Sequence, residues 1–207
     1  MKMNPFWSFA AAVTANRLVR TRMSRRSGAV YLTFDDGPHP EHTPALLDLL
    51  KSHDARATFF LIGEAAQLHA DIVTRIVAEG HSIGNHSMTH PRMSKLTARA
   101  QVAEIRRADA ALRRFNGRAT HLFRPPNGRS TAAMLLYGLW RRQPTLLWSL
   151  DTLDYRLGAD EVVARLSHAA PAAGDILLFH DDSPISCDAL RRLLPAWRDA
   201  GLRFEAL

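Results

Sequence analysis

The sequence has a single cysteine, Cys187, among its 207 residues, so no disulfide bond can form within the chain. Small secreted domains usually depend on several disulfide bonds, whereas proteins of reducing compartments do not. The sequence also lacks low-complexity tracts and internal repeats, which argues against solenoid architectures and long disordered linkers. These absences favour one globular domain in a reducing compartment.

Long hydrophobic runs are absent as well, since no stretch approaches the ~18 apolar residues that a membrane-spanning helix needs. The apolar, aromatic run "NPFWSFAAAVTA" near the N terminus is short. Val13-Thr14-Ala15 resembles a signal-peptide cleavage site, but most of the positive charge follows the run instead of preceding it. We therefore expect a cytoplasmic protein, with secretion by a short signal peptide as the alternative.

Acidic residues are missing from residues 1–28, which carry six of the 27 lysines and arginines. These six are Lys2, Arg17, Arg20, Arg22, Arg25 and Arg26. Without them, 21 basic residues face 20 acidic ones, so the net charge of +7 does not indicate a nucleic-acid partner. We predict a basic, aromatic arm over residues 1–28 and a catalytic domain over residues 29–207. Residues 1–26 are expected to contact the anionic inner face of a membrane, and a solvated arm is the alternative.

From residue 29, strand-like and helix-like segments alternate. The predicted strands are AVYLTF (29–34), RATFFLIG (56–63), HSIGN (81–85), HLFR (121–124), TLLWSL (145–150), DILLFH (175–180) and LRFEAL (202–207). The predicted helices cover 43–53, 69–80, 96–115, 131–142, 159–169 and 187–201. In the first helix Thr43 is expected as the N-cap and Pro44 as the first helical residue. This alternation predicts an α/β fold with a parallel sheet, as a distorted, incomplete (β/α)7-8 barrel or as a doubly wound open sheet.

Ionisable side chains follow five of the predicted strands, at the carboxyl ends where the chemistry of such folds collects. They are Asp35 and Asp36, His86 and His90, Arg124, Asp151 and Asp154, and His180 and Asp181. A single acidic strand end could be a solvated turn. Five such ends together predict a catalytic site.

The segment "NHSMTH" places His86 and His90 four residues apart, so both rings would lie on one side of a helical turn that ends before Pro91. Two imidazoles and one carboxylate, from Asp35 or Asp36, form a three-ligand set for a divalent metal with positions left open. A dication there would also offset the repulsion between the adjacent carboxylates. The pattern therefore predicts a metal centre.

The aspartate that does not bind the metal is free to accept a proton from water, whose pKa a metal lowers to ~7. Adjacent residues of an extended segment point in opposite directions, so one carboxylate would face the metal and the other the water. Arg124 would orient that carboxylate, and His180, kept protonated by Asp154, would protonate a leaving amine. Together these groups predict a metal-assisted amide hydrolase.

The chain resembles the polysaccharide deacetylases of the NodB-homology type, carbohydrate esterase family 4, over nearly all of residues 29–207. Five motifs carry the resemblance, in this order: TFDDGP, HSMTH, RPPNG, DTLDY and LLFHD. The resemblance implies the distorted, incomplete barrel and a hydrolase that removes the N-acetyl group from an N-acetylhexosamine unit of a glycan or lipid-linked saccharide precursor. The alternatives are a deformylase or O-acetyl esterase acting on a related sugar, and a carbohydrate-binding pseudoenzyme.

The resemblance also implies roles for the two aspartates of the first motif, the two histidines of the second and the arginine of the third. Asp35 would be the general base, and Arg124 would orient it. Asp36, His86 and His90 would bind the metal, most often zinc, with cobalt, nickel or manganese as alternatives.

In the last two motifs the resemblance implies that His180 is the general acid and that Asp154 tunes it. Leu178 would line the pocket for the acetyl methyl group.

Two substrate-binding positions depart from the family pattern. The third motif often has an aromatic residue where this chain has Asn127, after Pro126, and the fourth usually ends in tryptophan where this chain has Tyr155. We expect Pro126, Asn127 and Tyr155 to bind substrate. The changes leave every implied metal ligand and proton-transfer group in place, so they predict an active enzyme with an altered sugar groove.

Overall fold

The structure, a computed structural model, describes residues 18–207. Its strands are β1 (Val19–Arg20), β2 (Ala29–Asp35), β3 (Ala57–Leu61), β4 (Ser82–Asn85), β5 (Thr145–Leu146), β6 (Leu150–Asp151), β7 (Ile176–His180) and β8 (Arg203–Phe204). Its α-helices are α1 (His42–Ser52), α2 (Gly63–Leu68), α3 (Ala70–Ala78), α4 (Ala98–Asn116), α5 (Ala132–Trp140), α6 (Ala159–His168) and α7 (Ile185–Asp199). Short 3-10 helices cover Arg25–Ser27, Met93–Lys95 and Pro126–Gly128.

The main sheet has the parallel strand order β4-β3-β2-β7-β6, and β8 pairs with the first residues of β2. Strand β2 lies at its centre and is buried along its whole length, as expected when both faces of a parallel sheet are covered. Phe34 of β2 stacks on Phe59 of β3 and Phe179 of β7, with ring centroids 5.1 Å and 5.7 Å apart. This aromatic layer fixes the strand whose carboxyl end carries Asp35.

On the far side of β4 the sheet continues through single contacts. Phe123 forms parallel bridges to Asn85 at the end of β4 and to Thr145 of β5, and β5 pairs with β1. The strands curve around without a continuous ladder, so the fold is the predicted distorted, incomplete barrel. The doubly wound open sheet is not observed.

The predicted strand over residues 145–150 is wrong, because the chain leaves the extended ladder between Leu146 and Leu150. Leu147 N donates a hydrogen bond to Arg20 O on the β1 side, whereas Ser149 N donates to Ile176 O on the β7 side. The break brings Trp148 to the edge of the sheet where the strands end.

The predicted N-cap at Thr43 is also wrong, because α1 begins at His42. The Thr43 hydroxyl instead donates to Asp181 Oδ2 and accepts a hydrogen bond from His39 N. The sequence does not predict helix α2, whose first residue, Gly63, lies within the second predicted strand.

Residues 18–28 lie against the domain. Val19 of β1 pairs with Thr145, and Arg22 forms a 2.8 Å ion pair with Asp175. Residues 1–17 lie outside the described residues, so membrane contact by residues 1–26 stays a prediction. A truncation that tests it should begin at residue 18, because a deletion to residue 26 would remove β1. Within residues 18–207, no helix has both the length and the apolar character to cross a bilayer.

Candidate active site

The adjacent carboxylates Asp35 and Asp36 both face one cavity at the carboxyl end of β2. Asp36 Oδ1 lies 3.3 Å and Asp35 Oδ2 lies 3.8 Å from Nε2 of His86. The expectation that the two side chains point in opposite directions is wrong, because Asp36 has a φ of 75° and is not extended. Aspartate tolerates this left-handed conformation better than most residues.

The two histidines of "NHSMTH" are brought together by an irregular bend, so the predicted helical turn is wrong. Ser87 and His90 have φ values of 70° and 51°, and His90 N donates to Ser87 Oγ at 3.1 Å. The rings of His86 and His90 lie 5.0 Å apart between centroids. The bend therefore achieves the convergence of the rings that the spacing predicts.

Helix α4 holds this bend in place. The carboxylate of Glu104 accepts hydrogen bonds from the backbone N–H groups of Met88 and Thr89, at 3.1 Å and 2.8 Å. Asn85 Oδ1 accepts from Ser87 N at 2.9 Å, and Asn85 Nδ2 donates to Ile105 O at 2.8 Å. Buried polar groups at both ends of the bend are thus satisfied, which fixes where the two rings point.

Asp36, His86 and His90 offer ligand atoms that all lie within 4.8 Å of one another. Asp36 Oδ1 is buried, lies 3.1 Å from His90 Nε2, and has no hydrogen-bond partner within residues 18–207. The backbone carbonyl of Arg124 lies 2.9 Å from His86 Nδ1, so a proton on Nδ1 leaves the Nε2 lone pair facing the cluster. An orphaned carboxylate oxygen beside two imidazole nitrogens fits a divalent metal.

The same neighbours act on the charge of Asp36. Burial acts to raise the pKa of Asp36, but the nearby histidine rings, His86 foremost, outweigh it and hold the pKa below its usual value. The carboxylate is therefore ionised at neutral pH, as a metal ligand must be.

Arg124 is fully buried behind the cavity and holds Asp35 in place. Its Nη1 donates to Asp35 Oδ1 and to Thr33 Oγ1, both at 2.7 Å, and its Nη2 donates to Leu147 O at 3.2 Å. The guanidinium also lies over the ring of Phe60, 4.1 Å from its centroid. These contacts occupy Oδ1 of Asp35 and leave Oδ2 for the cavity.

His180 ends β7 directly opposite Asp35 in the sheet register. Its Nδ1 lies 2.8 Å from Asp154 Oδ1, and its backbone N donates to Asp154 Oδ2 at 2.7 Å. Burial acts to lower the pKa of His180, but the hydrogen bond and charge of Asp154, together with the nearby aspartates, raise it to about 9. At neutral pH the ring is protonated, with Nδ1 engaged by Asp154.

This pKa predicts that the unfolding free energy of the metal-free protein falls as the pH rises from about 6.5 to about 9. The folded ring keeps its proton over this range, whereas an unfolded histidine releases it, so stabilisation is complete below the ordinary pKa of 6.5 and lost above about 9. The decline should be about 3 kcal/mol, and urea unfolding at several pH values measures it.

Two variants decide whether Asp154 is the cause. Asp154→Asn should flatten this pH dependence, whereas Asp151→Asn, which removes a carboxylate that forms no ion pair with His180 in residues 18–207, should preserve it. Equal slopes for the wild-type protein and Asp154→Asn would contradict the assignment.

The cavity in which these groups meet has a volume of about 400 Å³. It is lined by Asp35, Asp36, His86, His90, Asn127, Gly128, Trp148, Asp151, Tyr155, Leu178, His180 and Asp182. Of the residues predicted from sequence, Arg124 and Asp154 lie behind this lining and act through the side chains that they contact. Pro126 is buried and does not line the cavity, because it faces a neighbouring one with Met93.

Four lining residues received no role from the sequence. The sequence predicts Trp148 within a strand. In the structure Gly128 packs against its ring with φ +65°, where an added Cβ would lie 2.5 Å from the indole. The sequence pattern marks Asp151 only as an acid at a strand end, and no pattern marks Asp182. The signal for Trp148 was an aromatic residue two positions before the end of a strand.

Tyr155, which was predicted, is 54% exposed and meets the His180 ring edge-on at 5.3 Å.

The sequence is similar to a family profile and to individual known proteins. The family profile described as polysaccharide deacetylase matches residues 22–138. A peptidoglycan-N-acetylglucosamine deacetylase of Bacillus cereus is 38% identical over 184 residues, covering 86% of this chain and 66% of the relative. A chitooligosaccharide deacetylase of Sinorhizobium fredii is 36% identical over 196 residues, covering 86% of this chain and 90% of the relative.

A solved structure gives the corresponding result in three dimensions. The crystal structure of a peptidoglycan N-acetylglucosamine deacetylase in complex with 4-naphthalen-1-yl-N-oxidanyl-benzamide superposes with a TM-score of 0.87 at 33% identity. The match covers 96% of this chain and 94% of the other. The structural resemblance thus extends over nearly the whole of this chain.

Proposed function

The chain belongs to the polysaccharide deacetylase family, and from this premise we propose that it is a metal-dependent hydrolase that removes the N-acetyl group from N-acetylhexosamine units. The substrate is a glycan or a lipid-linked saccharide precursor. One observation carries the proposal: a single cavity joins the three-ligand cluster to Asp35 and to protonated His180 on neighbouring strands. Relatives that deacetylate peptidoglycan and chitooligosaccharides support the choice of bond.

Asp36, His86 and His90 would hold the metal, for which we propose zinc, with cobalt, nickel or manganese able to replace it. When bound, the cation would supply Lewis-acid activation of water and of the amide carbonyl. The fit rests on the orphaned Oδ1 of Asp36 and the two converging Nε2 atoms.

Asp35 and His180 divide the proton transfers between them. Asp35, anchored through Oδ1 by Arg124, accepts a proton from the attacking water at Oδ2. His180, whose Nδ1 is engaged by Asp154, donates its Nε2 proton to the departing amine. A carboxylate paired with an arginine and an imidazolium paired with an aspartate can serve as base and acid at the same pH.

Leu178, Trp148 and Tyr155 provide binding surfaces in the cavity. Leu178 is buried at 3% exposure beside His180 and offers an apolar contact for the acetyl methyl group. Trp148 and the exposed ring of Tyr155 offer flat surfaces for sugar rings. Asn127 also lines the cavity, but it has no aromatic ring and so offers no flat surface at its position.

Mass spectrometry of released acid tests the proposal on a panel of N-acetylated oligosaccharides, lipid-linked N-acetylated sugars, N-formyl sugars and O-acetyl sugars. We expect acetate from the N-acetylated members. Formate release alone, or acetate from O-acetyl sugars alone, would replace the proposal by the corresponding alternative. Saccharide binding without release of any acid by the zinc-loaded protein would identify a pseudoenzyme.

A further inference from the structure

A second cavity, of about 390 Å³, opens beside the first and shares Asn127 with it. Two segments form its walls: residues 92–95, around the 3-10 helix that follows His90, and residues 126–129, around the 3-10 helix that follows Arg124. We call it the basic cavity after the three exposed cationic side chains among its lining residues, Arg92, Lys95 and Arg129. Because Asn127 lines both cavities, the two lie next to each other.

These three cations form no ion pairs in the part of the chain that the structure describes. Within residues 18–207, no carboxylate lies in ion-pair range of Arg92, Lys95 or Arg129, although other arginines of the same region are paired. None of the three lies in the metal-ligand cluster or contacts Asp35. Their positive charge is therefore directed at the cavity and at solvent.

The near-neutral sum over residues 29–207 conceals a strong segregation of charge. Residues 80–150 contain twelve lysines and arginines but only two acids, Glu104 and Asp109. Both acids are buried and form internal contacts. Glu104 accepts hydrogen bonds from the N–H groups of Met88 and Thr89, and Asp109 forms a 2.9 Å ion pair with Arg141. The segment that supplies all three cations of the basic cavity thus carries a large excess of positive charge.

We infer that the basic cavity binds an oxyanion carried by the substrate saccharide, while the N-acetyl group lies in the active-site cavity. This inference rests on the proposed function. Guanidinium groups bind carboxylates and phosphates through paired hydrogen bonds, and a lysine adds a mobile point charge. A carboxylate or a phosphate on a neighbouring part of the saccharide has the required charge. The enzyme therefore prefers an anionic saccharide to a neutral one of equal length.

Three N-acetylated saccharides of equal length test this inference: one neutral, one bearing a carboxylate and one bearing a phosphate. For each enzyme, kcat/KM for an anionic saccharide is divided by kcat/KM for the neutral one, so a loss of folded protein cancels. We expect the triple variant Arg92→Gln/Lys95→Gln/Arg129→Gln to lower this ratio about tenfold, mainly through KM, since each exposed charge contributes modestly.

A matched triple variant, Lys51→Gln/Arg113→Gln/Arg118→Gln, removes the same charge from exposed positions away from both cavities and should keep the wild-type ratio. The anion with the higher ratio identifies the source as carboxylate or phosphate. A wild-type ratio near one for both anions, or the same drop in both triple variants, would overturn the inference.

Isothermal titration calorimetry with the same saccharides separates this inference from the proposed function. If the wild-type protein releases acetate from none of them, the proposed function fails. Tighter binding of an anionic saccharide, lost in the Arg92/Lys95/Arg129 variant and kept in the matched one, would still support the basic cavity. Equal binding of neutral and anionic saccharides would refute it.

Discussion

Asp35→Asn is expected to lower kcat by a factor of about 10²–10⁴ while the protein keeps its divalent metal. The amide keeps the shape of the carboxylate and can still accept a hydrogen bond from Arg124 at the Oδ1 position. It cannot accept a proton from water, so the loss falls on the chemical step. Acetate release measures kcat, and elemental analysis of the same sample measures the metal.

Asp182→Asn is the matched control, because Asp182 is an exposed carboxylate at the rim of the same cavity without a role in proton transfer. It should retain most of the wild-type kcat. If both variants lose activity equally, the loss reflects negative charge in the cavity and not a base at Asp35. If Asp35→Asn loses its metal, Asp35 is a ligand and the assignment to Asp36 is wrong.

Asp36→Ala is expected to abolish metal binding and to reduce kcat/KM by about 10³-fold or more, since a catalytic metal supplies several kcal/mol of transition-state stabilisation. Asp36 Oδ1 is the oxygen ligand of the cluster, at 3.3 Å and 3.1 Å from the Nε2 atoms of His86 and His90. Its removal leaves two imidazoles, one of them 28% exposed at the cavity edge. Metal content by elemental analysis is the primary measurement.

Far-ultraviolet circular dichroism shows whether Asp36→Ala is folded, and His86→Ala provides an independent removal of a ligand. Both folded variants should lack metal and should not recover activity in excess zinc. Stoichiometric metal in folded Asp36→Ala would place the ion elsewhere and refute the three-ligand centre.

Much of this site could be predicted because the ends of buried strands can be recognised in the sequence. Buried apolar runs that stop at Asp35, Asn85 and His180 mark where a parallel sheet ends, and such ends lie together. The types of the flanking residues then indicate metal and proton chemistry. The resemblance to a known family separated Asp35 from Asp36, which the residues alone left open.

The remaining features depend on backbone conformations and long-range contacts that local patterns do not encode. The positive φ of Asp36 turns both carboxylates into one cavity, and that of His90 replaces the expected helical turn. Trp148 reaches the cavity because its strand breaks between partners more than a hundred residues apart in sequence, Arg20 and Ile176. The basic cavity could not be predicted, because the summed charge of the chain does not show where in the fold the positive charge lies.

Acetate release from a neutral N-acetylated oligosaccharide, followed through removal and return of the metal, tests the central claim most directly. The wild-type protein is assayed as purified, after chelation and dialysis, and after addition of zinc, with elemental analysis at each stage. The account predicts one divalent ion per chain with activity, neither after chelation, and both restored by zinc. Undiminished acetate release from protein shown to contain no divalent metal, or no release in any state, would contradict it.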